Sequence, residues 1–238
     1  MQQSKAELVQ RELLKWFGTN RRSFPWRQTT DPYRIVIAEI MLQRTKAPQV
    51  EGCYLQFLQR FPSVQDLSAV SVEDISQAIA SLGLAWRAEK IKALATDIVD
   101  RFSSTIPSTR EELLNLPGIG DYIADAVLCF AFEQPVVVVD WNVARFICRF
   151  FGIKAKGEAR RDKKVLEYAR RMIPQSHIRE FNWALLDLTA LVCKPRKPSS
   201  SGCPLRAWCA HASSMAEFDT VSSAGVRKGS TSGSEAHK

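Results

Sequence analysis

Apolar side chains recur every three to four residues along nearly the whole chain, with polar or glycine-containing breaks between the stretches. This spacing places the apolar side chains on one face of a helix. The pattern predicts helices over residues 4–17, 35–42, 50–61, 75–81, 87–102, 124–132, 142–151, 162–173 and 182–192. At Ser71 and Ser108, a serine with an acidic residue three positions later predicts two helix starts. The expected fold class is all-α.

One segment departs from the helical pattern. Four consecutive β-branched residues, Val136 to Val139, follow Pro135 as they would in a β-strand. Four residues are too few for a sheet of their own, so we expect a buried extended linker between two helical layers. After Cys209 the composition shifts to Ser, Gly, Thr and Ala without an apolar period, which predicts a disordered tail over residues 214–238.

The charge of the chain indicates which class of partner it can bind. Lysine and arginine give a net charge of +8, and because the tail is neutral the excess lies on the folded part. Such a charge suits a polyanion, although a soluble basic protein without such a partner shows it too. No apolar run is long enough to span a bilayer and the N-terminus lacks a secretion signal. We therefore expect a cytoplasmic protein, associated with the nucleoid if it is prokaryotic, and no membrane partner.

Two local features carry the candidate chemistry. Residues 116–120 read Leu-Pro-Gly-Ile-Gly between two predicted helices. Gly118 and Gly120 allow a tight turn that exposes the free N–H groups of the next helix to a phosphate, although an ordinary connection between helices uses glycine as well. Twenty residues later, Asp140 closes the valine run and opens a helix. It is a capping residue, a positioned carboxylate, or both.

Together these features resemble the helix-hairpin-helix glycosylases of the endonuclease III superfamily, over about residues 5–210. The pairing of the Leu-Pro-Gly-Ile-Gly hairpin with Val-Asp-x-Asn-Val about twenty residues later is highly specific for that family. The stretches 21–27, 31–33 and 39–45 are most similar to the mismatch-specific thymine/uracil glycosylases and, next, to the adenine glycosylases. The resemblance implies a base excision repair enzyme that binds double-stranded DNA, and we expect a monomer.

The resemblance also implies an architecture. Two helical subdomains would enclose a DNA-binding and active-site groove. Residues 22–133 would form a helical barrel that includes the helix-hairpin-helix motif at about 112–128. Residues 1–21 would join residues 134–213, with an iron–sulfur-type, cysteine-rich loop at 193–209, in the second subdomain.

A reaction site follows from the same resemblance. Asp140 matches a carboxylate that stabilises an oxocarbenium-like sugar or activates water, and Glu39 matches one that donates or relays a proton at the flipped base. By pattern alone, Glu39 is a solvated helix residue. Tyr122 stands where bifunctional relatives carry a lysine that forms a Schiff base with the sugar. Since a phenol cannot do so, we predict a monofunctional enzyme that leaves an abasic site. Trp141 replaces a usually smaller residue and either packs or stacks on a base.

Further DNA contacts are implied as well. The expected phosphate contacts are Gly118, Ile119, Gly120, Lys194, Arg196 and Lys197. The three basic residues would otherwise form a solvated loop. Gln43 and Leu84 lie at helix ends where relatives insert wedges into the gap left by a flipped base. A polar helix-end residue and a core leucine are the alternative interpretation of these two positions.

The cysteine-rich loop departs from the family pattern. Relatives bind a 4Fe-4S cluster through four cysteines, and Cys193, Cys203 and Cys209 keep that spacing, but Ser200 replaces the second ligand. Thiolates are the preferred ligands of such clusters. Three outcomes stay open: a cluster with one non-cysteine ligand, for which His211 is another candidate; a labile or three-iron cluster; or no cluster.

The resemblance leaves three functions to compare. Removal of thymine or uracil opposite guanine is the favoured one. An adenine glycosylase acting opposite 8-oxoguanine is the alternative enzyme, although such enzymes usually add a folded C-terminal domain where this chain has a polar tail. A DNA-binding module that has lost its chemistry is the alternative from another class, and the presence of both Asp140 and Glu39 argues against it.

Overall fold

Helices form nearly all the regular structure in the computed structural model, which describes residues 4–83, 86–196, 198–199 and 201–214. Leu84, Lys197, Ser200 and the tail beyond residue 214 lie outside these residues. No β-strand occurs within the described ranges, which confirms the all-α prediction. None of the helices described there is long and apolar enough to cross a membrane. The helices are α1 (Lys5–Asn20), α2 (Pro32–Leu42), α3 (Ala47–Arg60), α4 (Val64–Ala69), α5 (Val72–Ala78), α6 (Arg87–Phe102), α7 (Arg110–Leu114), α8 (Asp121–Phe130), α9 (Trp141–Phe151), α10 (Lys163–Arg171) and α11 (Ile178–Leu191).

Polar side chains determine where several of these helices begin. Asp31 accepts hydrogen bonds from the first turn of α2, so that helix starts at Pro32, three residues before the predicted start. The predicted start at Ser108 is one residue early, because the side chain of Thr109 accepts from the Glu112 N–H and caps α7. A side-chain oxygen at the cap satisfies an N–H group that has no partner inside the helix.

Two apolar cores organise the helices. Buried side chains of α2 to α8 form the first core, which starts at Phe24 and includes Phe57, Leu94 and Val127. Buried side chains of α1, α9, α10 and α11 form the second core. The N-terminal helix α1 therefore packs with the C-terminal helices. Trp183 of α11 packs against both cores, so this helix lies where they meet.

The valine linker, residues 136–139, crosses between the two cores. Val138 points into the first core, whereas Val137 and Val139 point into the second, the alternation of an extended chain. The Asn182 side chain takes the place of a neighbouring strand. Its Oδ1 accepts from the Val138 N–H at 2.7 Å, and its Nδ2 donates to the Val136 carbonyl at 2.9 Å. Because this side chain satisfies buried backbone groups, the strand-like sequence needs no sheet.

Candidate active site

A cavity of about 520 Å³, here called the reaction cavity, opens where the two cores meet. Its wall brings together Glu39 of α2, Tyr122 of α8 and Asp140 at the start of α9. Besides Tyr122, the aromatic residues of the wall are Phe24, Trp26, Phe130 and Trp183. Aromatic surface combined with a few polar groups is typical of a site for a flat heterocyclic ligand.

Glu39 is buried, with 4% of its surface exposed, so it is not a solvated helix residue. Burial raises the pKa of its carboxyl to about 7, and the charge of Asp140 adds to the rise. A hydrogen bond with Tyr122 and the charge of Arg27 act in the opposite direction. The Oε2 atom has no hydrogen-bond partner among the residues that the structure describes. A carboxyl of this kind can hold a proton near neutral pH and give it to a ligand in the cavity.

Tyr122 lies in the first turn of α8, half-buried beside Glu39. Burial raises the pKa of its phenol well above the usual value, and the neighbouring charges of Glu39 and Asp140 raise it further. The phenol therefore stays protonated at physiological pH and acts as a hydrogen-bond donor.

Asp140 caps α9 and lines the reaction cavity at the same time. Its Oδ1 accepts from the N–H groups of Asn142 at 2.8 Å and Val143 at 2.7 Å, and its Oδ2 accepts from Asn142 Nδ2 at 2.8 Å. Asn142 is itself held by Arg145, whose Nη1 donates to its Oδ1 at 2.8 Å. The capping bonds fix the carboxylate in one orientation, so the two roles considered for Asp140 are compatible.

The glycine hairpin leads directly into α8 and thus into Tyr122. Gly118 has a φ of +82°, a conformation that L side chains rarely adopt. Ile119 is buried in the first core and anchors the turn. Gly120 is the cap of α8 and has no side chain, so no side-chain bond from the cap occupies the first N–H groups of that helix. A helix N-terminus of this kind, next to a tight turn, is able to bind a phosphate.

A second cavity of about 840 Å³, the hairpin cleft, runs beside this helix start. Gln43, at the end of α2, and Gly120 both line it. Lys194 and Arg196 are exposed but line neither this cleft nor the reaction cavity. The hairpin and Gln43 thus lie on the same cleft as Tyr122, whereas the described basic residues of the cysteine-rich loop line neither cavity.

The three cysteines of the C-terminal loop share an apolar cavity of about 320 Å³. Cys193, Cys203, Cys209 and His211 line it. Burial raises the pKa of the Cys203 thiol, and the nearby Cys209 and Cys193 raise it further. Within the described ranges, no three His, Cys, Asp or Glu side chains converge closely enough for a metal ion. The three thiols therefore line one cavity without forming a site for a single metal ion.

Sequence reasoning missed the arginines that hold this loop against α9. Arg145 Nη2 donates to the Cys193 carbonyl at 2.8 Å. Arg149 donates to the carbonyls of Lys194 at 2.7 Å and Pro195 at 2.8 Å. The loop backbone is therefore fixed by the helix that Asp140 caps. No local pattern reveals these bonds, because their partners lie more than forty residues apart.

A second missed group is the buried carboxylate of Asp187 on α11. This carboxylate accepts hydrogen bonds from both Arg27 and Arg22, and these two arginines line the reaction cavity. The available signal was an acidic residue inside the mostly apolar stretch 182–192, since a charge buried in such a helix needs a partner. The arginines at 22 and 27, on either side of Phe-Pro-Trp, supply it.

Comparison with known proteins adds independent findings. A family model described as HhH-GPD superfamily base excision DNA repair protein matches residues 37–175. The chain is 36% identical over 200 residues to the thymine/uracil-DNA glycosylase of Methanothermobacter thermautotrophicus, covering 84% of this chain and 90% of that protein. It is 33% identical to the adenine DNA glycosylase of Homo sapiens, covering 83% of this chain and 38% of that protein. A solved thermostable thymine-DNA glycosylase matches with a TM-score of 0.82 and 34% identity, over 88% of this chain and 97% of that one.

Proposed function

Because this chain belongs to the HhH-GPD superfamily of base excision DNA repair proteins and is a DNA glycosylase, we propose that it excises thymine or uracil opposite guanine. The family membership predicted from the hairpin and Asp140 is thereby confirmed. The choice of base is supported by the thymine/uracil-DNA glycosylase, which the chain matches over 90% of its length.

The observation that carries the proposal is the convergence of Glu39, Tyr122 and Asp140 on one cavity. Hydrolysis of an N-glycosidic bond needs a proton for the departing base and a negative charge for the cationic sugar. The buried Glu39 carboxyl, whose pKa is raised to about 7, supplies the proton. The capped Asp140 carboxylate supplies the charge. Reaching these groups requires the base to leave the duplex stack, and the cavity offers aromatic surface to receive it.

The reaction then proceeds through loss of the base and addition of water. The bond between the deoxyribose C1′ and the base nitrogen breaks, and the base leaves with the bonding electron pair. A proton from Glu39 neutralises the departing base. Asp140 stabilises the oxocarbenium-like sugar until a water molecule adds to C1′ and gives its proton to the Asp140 carboxylate. The products are a free base and an abasic site.

Tyr122 supports a hydrolytic enzyme without lyase activity. Strand cleavage through a Schiff base needs an amine that attacks the sugar carbon. By the family resemblance, Tyr122 stands where bifunctional relatives carry that amine, and its phenol, near Glu39 and Asp140, stays protonated. The phenol instead donates a hydrogen bond at the Glu39 carboxyl.

The second candidate is an adenine glycosylase acting opposite 8-oxoguanine. It is favoured by the 33% identity to the human adenine DNA glycosylase. That match covers 38% of the human protein, whereas the thymine/uracil enzyme is matched over 90%. The identity to the thymine/uracil enzyme is higher, at 36%, and this favours thymine or uracil as the excised base.

The function is tested by a single-turnover assay on T·G, U·G and A·8-oxoguanine duplexes. We expect release of thymine or uracil and strand scission only after alkali treatment. Release of adenine alone would overturn the proposed base. Release of no base, together with duplex binding that Asp140→Asn leaves unchanged, would instead identify a DNA-binding module without chemistry.

We further propose that Cys193, Cys203 and Cys209 hold an iron–sulfur cluster through three thiolates. Their shared apolar cavity supports this assignment. When bound, the cluster would supply a cross-link within the loop, from Cys193 just after α11 to Cys203 and Cys209, and base excision requires no step through it. Absorption near 400 nm and an iron content that Cys203→Ala abolishes are the expected results. A colourless, iron-free protein after expression with sufficient iron and anaerobic purification would overturn the assignment.

A further inference from the structure

Trp141 presents an unusual amount of apolar surface beside the reaction site. It is the most exposed large hydrophobic residue in the described part of the chain, at 56%. It is also the first residue of α9 and directly follows Asp140. A single exposed aromatic side chain is common on protein surfaces, so its meaning depends on what surrounds it.

The Trp141 ring is held in place rather than loosely solvated. The guanidinium of Arg160 lies 5.1 Å from the centroid of the ring. Arg160 is in turn paired with Glu158, which also contacts Arg161 at 3.4 Å. A guanidinium over one face of an indole is a favourable cation–π arrangement. One face of the ring is therefore covered, and the exposed remainder is available to a ligand.

The same arginine connects Trp141 to the hairpin cleft. Arg160, Arg161 and Arg170 all line this cleft, which extends to Gly120 of the hairpin and to Gln43. The surrounding segment, residues 154–171, carries eight lysines and arginines against three acidic residues. This is the charge of a surface that binds phosphates.

The negative groups of the cleft are already paired. Asp121 and Asp125 both bind Arg110, at 2.6 and 2.9 Å. Glu158 is shared between Arg160 and Arg161. Among the described residues, Arg170 forms no salt bridge within 4.0 Å, and its charge acts on Asp125 without a direct pairing. Of the arginines at 160, 161 and 170, it is therefore the one most available to a phosphate.

We propose that Trp141 packs against the nucleotide next to the excised one, and that Arg160, Arg161 and Arg170 bind phosphates of the same strand along the hairpin cleft. This inference rests on the proposed glycosylase function and extends it to a DNA contact surface. An aromatic face accepts any base or deoxyribose, and the arginines act on the backbone, so the surface strengthens binding without reading sequence.

The experiment measures binding of a duplex that contains a non-cleavable tetrahydrofuran abasic analogue. Trp141→Ala is expected to weaken binding by roughly tenfold or more, whereas Trp141→Phe retains most of the affinity because it keeps an aromatic face. Thermal melting of each variant confirms folding. Equal affinity of Trp141→Ala and wild type would overturn the role of the indole.

The arginines are tested by a matched pair of neighbours on α10. Arg170 lines the hairpin cleft, whereas Arg171 does not and pairs with Glu167. Both substitutions, Arg170→Ala and Arg171→Ala, remove one positive charge. The slope of log affinity against log salt concentration should fall by about 0.9 for Arg170→Ala and stay unchanged for Arg171→Ala. Equal slopes for the two variants would overturn the proposed phosphate contacts in the hairpin cleft, because affinity would then depend on the total charge of the protein and not on the position of the arginine.

The base-release assay keeps this inference separate from the proposed function. If wild type releases thymine or uracil while Trp141→Ala and Arg170→Ala bind the duplex as tightly as wild type, only the proposed contact surface is contradicted. The opposite result is also informative. If wild type releases no base while Trp141→Ala and Arg170→Ala both bind the duplex more weakly than wild type, the contact surface is supported and the proposed reaction is contradicted.

Discussion

The carboxylate of Asp187 accepts two hydrogen bonds of 2.9 Å from the guanidinium of Arg27. Arg22 completes the group, with its Nε 2.6 Å and its backbone nitrogen 2.9 Å from the same carboxylate. Asp187 is fully buried on α11, and both arginines line the reaction cavity. The α11 helix thereby fixes the loop that forms one wall of the site, and it holds Arg27 where its charge acts on Glu39.

Replacement of Asp187 should therefore be costly. In Asp187→Ala, the Arg27 guanidinium stays buried without its counter-charge, and we expect the free energy of unfolding to fall by about 3–5 kcal/mol. Urea denaturation measures the loss. The control is Glu167→Ala, which removes an exposed pairing with Arg171 and should cost less than about 1 kcal/mol. Equal losses in the two variants would contradict a structural role for the buried group.

The rate of base excision should depend on the protonation of Glu39. Its pKa is raised to about 7, so the protonated form is present below that pH and is lost above it. We expect the single-turnover rate constant to fall about tenfold per pH unit above 7. Glu39→Gln should lower the rate by roughly 10²–10⁴ and remove this limb of the pH profile. A wild-type rate that is constant between pH 6 and 9 would show that Glu39 is not the proton donor.

The same proton should affect stability. Between the ordinary pKa of 4.5 and the folded value of about 7, the folded protein keeps a proton that the unfolded chain has released. The contribution of Glu39 to the free energy of unfolding is therefore fully present below pH 4.5 and is lost as the pH rises through 7. Glu39→Gln should be more stable than wild type above pH 7, by up to roughly 3 kcal/mol. Denaturation at pH 5 and pH 8 measures this gain, and a gain no larger at pH 8 would contradict the pKa assignment.

Tyr122→Lys should give the protein strand-cleaving activity. The variant places an amine beside Asp140, where it can attack the sugar and form a Schiff base. Borohydride trapping should then yield a covalent protein–DNA complex that wild type does not form. Tyr122→Phe serves as the control and should form none. Trapping of wild type to the same extent would mean that another amine reaches the sugar.

Asp140 offers a way to separate capping from chemistry. Asparagine caps a helix about as well as aspartate, so Asp140→Asn should melt close to wild type while its excision rate falls by at least about 10²-fold. Asp140→Ala should lose a similar rate and, in addition, about 1 kcal/mol of stability. An Asp140→Asn variant with the wild-type rate would leave Asp140 as a capping residue alone.

The elements that could be predicted from the sequence are those with local signals. Helical periodicity located most helices, and the glycine hairpin together with Asp140 pointed to the family. The burial of Glu39 had a signal that was overlooked, because α2 is apolar on nearly all sides and a helix of that kind lies inside the protein. Which side chains face its carboxyl is decided by packing across the chain rather than by neighbouring residues.

The missed residues share a different cause. Asn182 bonds to Val138 across 44 residues, and Asp187 bonds to Arg22 across 165. Each polar side chain interrupts an apolar helix and so indicates that a partner exists. The identity of the partner depends on how α11 packs against the rest of the chain, which no local pattern reveals. Helix ends were also misplaced by a few residues where caps such as Asp31 and Thr109 were overlooked.

Successive valines of the linker point into opposite cores. The number of residues in the linker is therefore more restricted than the identity of each β-branched residue. Deleting or inserting one residue would turn the following valines toward the opposite core and would shift the Val138 N–H away from Asn182. It would also displace Asp140, which ends the linker, relative to Tyr122 on the other side of the cavity. Exchanging one β-branched residue for another preserves both cores. The segment therefore acts as a spacer of fixed length between α8 and the carboxylate at the start of α9.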